Sequence, residues 1–93
     1  MNRKVIPSAA FVRTAKRWLK KHPEDAESFR RTLELLVEDA YHPYLKTHKL
    51  KGALAGSWSC SIGHDLRLVF EFVTLEGHEA IILQSIGSHD EVY

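Results

Sequence analysis

The chain has 93 residues, of which 44% are apolar, and its formal net charge is +1 with histidine neutral. This length predicts a single domain over residues 1–93, and the apolar fraction is sufficient for one modest core. The sequence contains no run of about 18 apolar residues, and no long apolar segment follows its first charges, which excludes a membrane span and a secretory signal. We therefore expect a cytoplasmic protein with no membrane partner.

Near-neutral charge also argues against a protein that coats nucleic acid through its bulk charge. The distribution of charge is more informative, because cations and an imidazole cluster in one segment while acidic residues crowd the segment before it. The basic cluster consists of Lys46, His48, Lys49 and Lys51. Such a local site on a near-neutral body suits a small, directed phosphate contact better than a broad one.

The N-terminal part of the chain predicts a short strand followed by a helix. β-branched residues in Arg3–Ile6 favour a strand, and Pro7 ends it, which is typical of an edge strand. Ser8 stands where a helix N-cap belongs, and apolar residues then recur at helical spacing. This pattern predicts a first helix over 8–21 with a basic outer face, which ends at the break His22–Pro23.

A second helix is predicted from Pro23, because proline is favoured at the first helical position and acidic residues follow it at the positive end of the helix dipole. Its apolar stripe from Ala26 to Ala40 is the most regular in the chain, and the helix ends before His42–Pro43. The segment Tyr41–Gly56 is then predicted to be mostly loop. A loop of this length in a compact domain is often functional.

The C-terminal half predicts strands. Apolar residues alternate in Trp58–Ile62 and again in Leu66–Phe72, with Gly63–Asp65 between them, which is the signal of a β-hairpin. After a second turn at Thr74–His78, the nearly continuous apolar run Ala80–Ile86 predicts a central strand covered on both faces.

The single cysteine, Cys60, alternates with Trp58 and Ile62 on one face of a predicted strand. It has no partner for an internal disulfide. We therefore expect a small buried side chain rather than a reactive thiol.

The predicted element order is β-α-α-β-β-β. Two helices joined by a tight break form a helical hairpin, and their apolar stripes need a partner, which the sheet provides. The sequence thus predicts an α+β fold, with a sheet of about four strands, mainly antiparallel, and the helical hairpin packed on one of its faces.

No motif for a metal ion, a phosphate loop or a serine nucleophile is present, so we expect no cofactor and no metal. What remains is a convergence of cations, two imidazoles and a phenol: the basic cluster, Arg67 on the hairpin, and His89 with Tyr93 in the tail. A base, an acid and cations suit cleavage of RNA by attack of a ribose 2′-hydroxyl on the neighbouring phosphate. The alternative is that the lysines are only solvated and that His89 caps a turn.

Four motifs of this chain are similar to those of a known family. They are His48-Lys-Leu-Lys-Gly52, Gly56-Ser-Trp-Ser59, His64-Asp-Leu-Arg-Leu-Val-Phe70 and Ile86-Gly-Ser-His-Asp-Glu-Val-Tyr93. The chain resembles the RelE/ParE superfamily of toxins from bacterial type II toxin–antitoxin systems. Its ending is closest to the YafQ branch, and its Trp-Ser and Arg-Leu-Val-Phe segments are similar to the YoeB branch. The predicted element order agrees with the RelE-like fold.

The resemblance implies an mRNA interferase, which cleaves mRNA in the ribosomal A site without a metal ion and is neutralised by a cognate antitoxin. His89 and Tyr93 fall at the positions of a catalytic histidine and a terminal aromatic residue of the family. His48 matches its loop histidine, and Asp65 matches an acidic residue of the hairpin turn. The resemblance therefore implies a catalytic set of His89, His48, Asp65 and Tyr93. Contacts to RNA or phosphate would then come from Lys46, Lys49, Lys51, Arg67 and His64.

The chain also departs from the family pattern. Related toxins often carry a charged residue on the polar face of the first hairpin strand, where this chain has Ser59 and Ser61. A phosphate or base contact is therefore missing or comes from Lys49, Lys51 or His64. The same fold leaves two other functions open. One is a ParE-like inhibitor of DNA gyrase, which needs no catalytic histidine, and the other is a non-catalytic module that only binds antitoxin.

Overall fold

The computed structural model describes residues 2–92, apart from the side chain of Glu91, and this part of the chain forms one mixed sheet with two helices on one face. The helices are α1 (Ala9–Lys21) and α2 (Ala26–Glu38), followed near the C-terminus by the single turn α3 (His89–Val92). The strands are β1 (Lys4–Pro7), β2 (His48–Lys49), β3 (Trp58–Ile62), β4 (Leu66–Leu75) and β5 (His78–Ser88). The predicted α+β class is confirmed.

The strands that the structure describes follow the order β1-β5-β4-β3-β2. β1 runs parallel to β5, and the other neighbours are antiparallel. The prediction of an edge strand at the N-terminus and of a central strand near the C-terminus is confirmed. The predicted number of about four strands is one too few, because β2 adds a fifth at the far edge.

The segment 41–56 contains more structure than its prediction as a loop. Pro43–Leu45 and Gly52–Leu54 are single 3₁₀ turns, and β2 lies between them. Backbone pairing continues past β2, since the amide of Leu50 donates to the carbonyl of Ser57 at 2.9 Å. A strand of two residues is too short to show a period of two, which is why the pattern did not reveal it.

The start of α1 closes the edge of β5 where β1 ends. The Ser8 hydroxyl caps the helix by accepting from the amide of Phe11 at 3.0 Å, and it donates to the carbonyl of Gln84 at 3.3 Å. Nearly two helical turns after Ser8, the Thr14 hydroxyl accepts from the amide of Ile86 at 3.3 Å. Side chains of α1 thus satisfy backbone groups of β5 that have no strand beside them.

The second helix starts later than predicted. Pro23–Asp25 forms a 3₁₀ turn, and α2 begins at Ala26. The fixed φ angle of proline suits the first residue of both an α-helix and a 3₁₀ turn, and its missing amide hydrogen is not needed at that position. The presence of Pro23 therefore does not decide between the two.

The core lies between the helical hairpin and one face of the sheet. Helix residues such as Phe11 and Leu36 pack there against β3 and β4 residues such as Cys60 and Phe70. Cys60 is fully buried, and this burial raises the pKa of its thiol to about 12. The expectation of a small buried side chain is therefore confirmed.

The hairpin of β4 and β5 turns at Glu76–Gly77. Both residues have positive φ angles, 50° and 80°, as in the two-residue turns that match the twist of paired strands. The turn lies within the predicted Thr74–His78, but both strands are longer than predicted.

Every helix in residues 2–92 is too short or too polar to span a bilayer.

Candidate active site

Side chains on the sheet surface away from α1 and α2 form what we call the polar face. Cys60 and Leu68 point into the core beneath the helices. Because side chains alternate along a strand, their neighbours Ser59, Ser61 and Arg67 lie on the polar face. Register then extends this face across the sheet, since Ser59 is opposite Val69 and Ser61 is opposite Arg67.

His48 reaches the polar face at the outer edge of the sheet. It lies directly opposite Ser59, and residues paired across an antiparallel ladder share a face. Its Nδ1 atom is 2.9 Å from the carbonyl oxygen of Lys46. In the neutral ring this hydrogen bond requires the proton on Nδ1, which places the lone pair on Nε2, as a general base needs.

Arg67 lies on the third of the five strands, near the end of the polar face that adjoins the β3–β4 turn. Ser61 is its neighbour on β3, and Gly87, which has no side chain, is its neighbour on β5. The guanidinium donates from Nη1 to the carbonyl of Leu66 at 3.1 Å, and the residue is half-buried. A guanidinium held in this way offers its remaining N–H groups to a phosphate.

His89 follows directly on β5 as the first residue of α3, and its side chain is exposed. Its Nδ1 atom is 3.5 Å from a carboxylate oxygen of Asp90. The β3–β4 turn, with His64 and Asp65 both exposed, lies at the same end of the sheet, because Leu66 pairs with Ser88. The structure thus brings His89, His64 and Asp65 to one end of the polar face.

The predicted lysines do not all face the same way. Lys46 and Lys51 are exposed in the segment around β2, and Lys46 has a left-handed backbone with φ of 54°. Lys49 instead lies opposite Trp58, with its Nζ 5.6 Å from the centroid of that indole ring. This cation–π contact holds Lys49 on the side of the strand away from His48. Tyr93 lies outside the described residues.

His48 and His89 border the polar face from two sides. β2 and β5 are three strand spacings apart, which corresponds to about 14 Å across the sheet. The two histidines are also offset along the strands, because the register aligns His48 with Ser85, four residues before His89. Arg67 stands on the strand between β3 and β5. The two imidazoles and the guanidinium therefore surround a stretch of sheet rather than contact one another directly.

One polar network on this face was not anticipated. The Ser57 hydroxyl donates to Gln84 Oε1 at 2.8 Å, and Gln84 Nε2 donates to a Glu71 carboxylate oxygen at 3.2 Å. Gln84 reaches this face because the register of β4 and β5 shifts between Val69 and Phe70, so that one extra residue is accommodated on β5. No residue pattern marks the bulge, because the run around Gln84 is almost wholly apolar.

Within residues 2–92, one group of side chains is arranged closely enough to share a metal ion: His22, Glu24 and Asp25. This group lies in the link between α1 and α2 and includes none of the predicted site residues. All three members already have partners, since Glu24 contacts His22 and Asp25 accepts from the indole of Trp18.

Comparison with solved structures identifies the fold. YafQ from E. coli strain BL21(DE3) is similar with a TM-score of 0.77 and 17% identity, covering 98% of each chain. A YoeB/ParE toxin from Agrobacterium tumefaciens gives a TM-score of 0.74 at 17% identity, covering 92% of this chain and 98% of the other. The YafQ chain of the E. coli DinJ–YafQ toxin–antitoxin complex gives 0.75 at 18% identity, covering 100% and 99%.

These likenesses, together with the helical hairpin on a mixed sheet, show that the chain has the fold of the YafQ and YoeB/ParE toxins. The sequence profile of the YafQ family, described as a bacterial toxin of type II toxin–antitoxin systems, matches residues 3–93. The chain therefore belongs to the YafQ family. No curated protein sequence matches it.

Proposed function

We propose that this toxin is an endoribonuclease that inhibits translation by cleaving mRNA in the ribosomal A site. The observation that carries the proposal is the position of His48 and His89, which border the polar face with Arg67 between them. Two imidazoles and a cation around one surface are the groups that cleavage through a ribose 2′-hydroxyl requires.

In the proposed reaction, the 2′-oxygen of the ribose forms a bond to phosphorus while the bond from phosphorus to the 5′-oxygen breaks. His48 Nε2 accepts the 2′ proton, and His89 in its protonated form gives a proton to the leaving 5′-oxygen. Arg67 stabilises the additional negative charge on the phosphate oxygens. The products are a 2′,3′-cyclic phosphate and a 5′-hydroxyl, and no other reactant is consumed.

The remaining predicted residues complete the site in this proposal. Lys46 and Lys51 hold phosphates on the His48 side, and His64 and Asp65 lie on the His89 side. Tyr93 stacks on a base, as aromatic side chains commonly do in the recognition of single-stranded RNA. Ser59 is fully buried and Ser61 carries no charge, so in this proposal binding depends more heavily on the lysines.

We also propose a cognate antitoxin as partner. E. coli YafQ has been solved in complex with the antitoxin DinJ, and that toxin shares this fold. An extended segment that orders on binding and covers the polar face or the helices would neutralise the toxin.

The proposal is tested by mapping mRNA 5′ ends after brief induction of the wild-type chain and of the His89→Ala variant. New 5′ ends within translated codons are expected with the wild type only, and prior arrest of translation initiation should remove them. Cleaved gyrase–DNA complexes together with intact mRNA would instead support the gyrase inhibitor. Harmless expression without any antitoxin would support the non-catalytic module.

A further inference from the structure

A second concave surface lies beside the polar face, at the edge of β5 that β1 leaves uncovered. A pocket of about 440 Å³ opens there between the last turns of α1, the end of β5 and α3. Its lining includes Arg17, Trp18, Lys21, His22 and Val92. Because α3 begins with His89 and contributes Val92 to the lining, the pocket adjoins the proposed catalytic end of the sheet.

The cations of this pocket lack the acidic partners that other cations of the protein have. Among residues 2–92, neither Arg17 nor Lys21 takes part in an ion pair. On α2, by contrast, Arg30 contacts both Glu27 and Glu34. The positive charge on α1 is therefore available to an anion, whereas that on α2 is largely compensated within its own helix.

Helix stabilisation explains only part of this charge. Lys20 and Lys21 lie in the last turn of α1, where cations favour the negative end of the helix dipole. Arg13 and Arg17 lie further inside the helix and receive no such benefit. Arg13, Arg17 and Lys21 follow one another at intervals of four residues, which places them along one flank of α1.

The aromatic wall of the pocket is held in place by its own contacts. The indole of Trp18 donates from Nε1 to Asp25 Oδ2 at 2.8 Å, and it stacks on the His22 ring with centroids 4.2 Å apart. His22 also contacts Glu24, with Nδ1 3.5 Å from Oε2. The nearby carboxylates are thus engaged by the indole and the imidazole, and the wall beside Arg17 and Lys21 is preorganised.

We propose that Arg17 and Lys21 bind a phosphodiester group of the substrate RNA strand as it leaves the polar face past His89. This inference rests on the proposed function, because it takes RNA as the substrate. A guanidinium and an ammonium on one wall of an open pocket are the usual ligands of a phosphate. A pocket of several hundred Å³ also leaves room for the attached sugar.

The test measures binding of a short single-stranded RNA by fluorescence anisotropy, with His89→Ala present in every protein so that no cleavage intervenes. Arg17→Ala with Lys21→Ala removes the pocket cations. Arg30→Ala with Arg31→Ala removes the same charge from α2 and is the matched control. We expect about a tenfold loss of affinity in the pocket variant and a salt slope reduced by about 0.7, the value for one phosphate on a single strand. The control should change affinity less than twofold.

An equal loss in both double variants would overturn the inference, because it would reflect net charge alone. RNA affinity that is unchanged in the pocket variant would also overturn it. This holds even if that variant binds ribosomes or the antitoxin less tightly than the wild type does. These binding data are independent of cleavage. Absence of new mRNA 5′ ends with the wild type would therefore reject the proposed function without deciding the RNA contact.

Discussion

Ser88, the last residue of β5, lies directly opposite Leu66, the first residue of β4. The residues that adjoin this pair in the chain, His89 and Asp65, therefore emerge at the same end of the sheet although they are distant in sequence. This register places the start of α3 beside the β3–β4 turn. It makes the end of β5 the position where a single substitution tests the proposed chemistry most directly.

Replacing His89 with alanine should lower mRNA cleavage by about 10²- to 10⁴-fold, the usual effect of losing a general acid or base. Primer extension on a reporter mRNA after brief induction measures the change. His78→Ala is the matched control, because His78 is an exposed histidine at the opposite end of β5. Cleavage by His89→Ala at the wild-type level would remove this residue from the mechanism.

Replacing His48 with alanine should lower cleavage by a similar factor, since the proposed base is then absent. His42→Ala is the control within the same segment. His42 has a local structural role, with its Nδ1 accepting from the amide of Tyr44 at 3.1 Å. We expect His42→Ala to reduce stability slightly and to leave cleavage intact. If the two variants cleave equally well, His48 is not the base.

Much of the fold follows from local patterns in the sequence. Ser8 was predicted as an N-cap and is one. A serine hydroxyl just before an apolar helical stripe is well placed to accept from an unpaired amide of the first turn. The β3–β4 hairpin was likewise predicted with the observed turn, since the alternation on both sides of Gly63–Asp65 is clear. Each of these elements is determined by residues that are close together in the sequence.

The parts that could not be predicted depend on contacts between distant segments. β2 is only two residues long and exists because β3 pairs with it. The direction of Lys49 follows from that pairing, which places the residue opposite Trp58. Gln84 faces Glu71 only because a bulge shifts the register, and α3 forms in a tail whose composition was merely polar. Among the proposed site residues, His48 and His89 were indicated by the convergence of imidazoles and cations and by the resemblance, whereas nothing in the sequence indicated that Arg17 and Lys21 line a pocket.

Replacing Gln84 with alanine should destabilise the protein by about 1–3 kcal/mol. The half-buried Ser57 and Glu71 then lose their shared partner, and the cost of leaving buried polar groups unpaired is of this size. Urea unfolding measures the change. Ser57→Ala should cost less, because Gln84 keeps its bond to Glu71. A Gln84→Ala variant as stable as the wild type would show that the network adds nothing to the free energy of unfolding.

Replacing Ser8 with alanine should lower the free energy of unfolding by about 1–2 kcal/mol. The substitution removes the cap on the Phe11 amide and the hydrogen bond to the Gln84 carbonyl together. Ser8→Asn should retain most of the stability, since its amide can both accept and donate. Thermal unfolding of the three proteins distinguishes these cases, and equal melting temperatures for Ser8→Ala and the wild type would contradict the prediction.

The buried thiol of Cys60 should make the protein less stable at alkaline pH. Burial raises its pKa from 9.0 to about 12 in the folded state. Between these values the unfolded chain loses the proton while the folded chain keeps it, so the unfolded state binds fewer protons and the free energy of unfolding falls as pH rises. The contribution is fully present below pH 9.0 and decreases by about 1.4 kcal/mol per pH unit towards pH 12.

Cys60→Ala isolates this effect, because the variant has every other ionisable group of the wild type. Between about pH 9 and pH 10.5 the wild type should lose about 1.6 kcal/mol more than the variant, measured by urea unfolding at each pH. At neutral pH the variant should be less stable than the wild type, since the alanine leaves a small cavity in the core beside Leu68. Parallel pH curves for the two proteins would show that the thiol ionises equally in the folded and unfolded states.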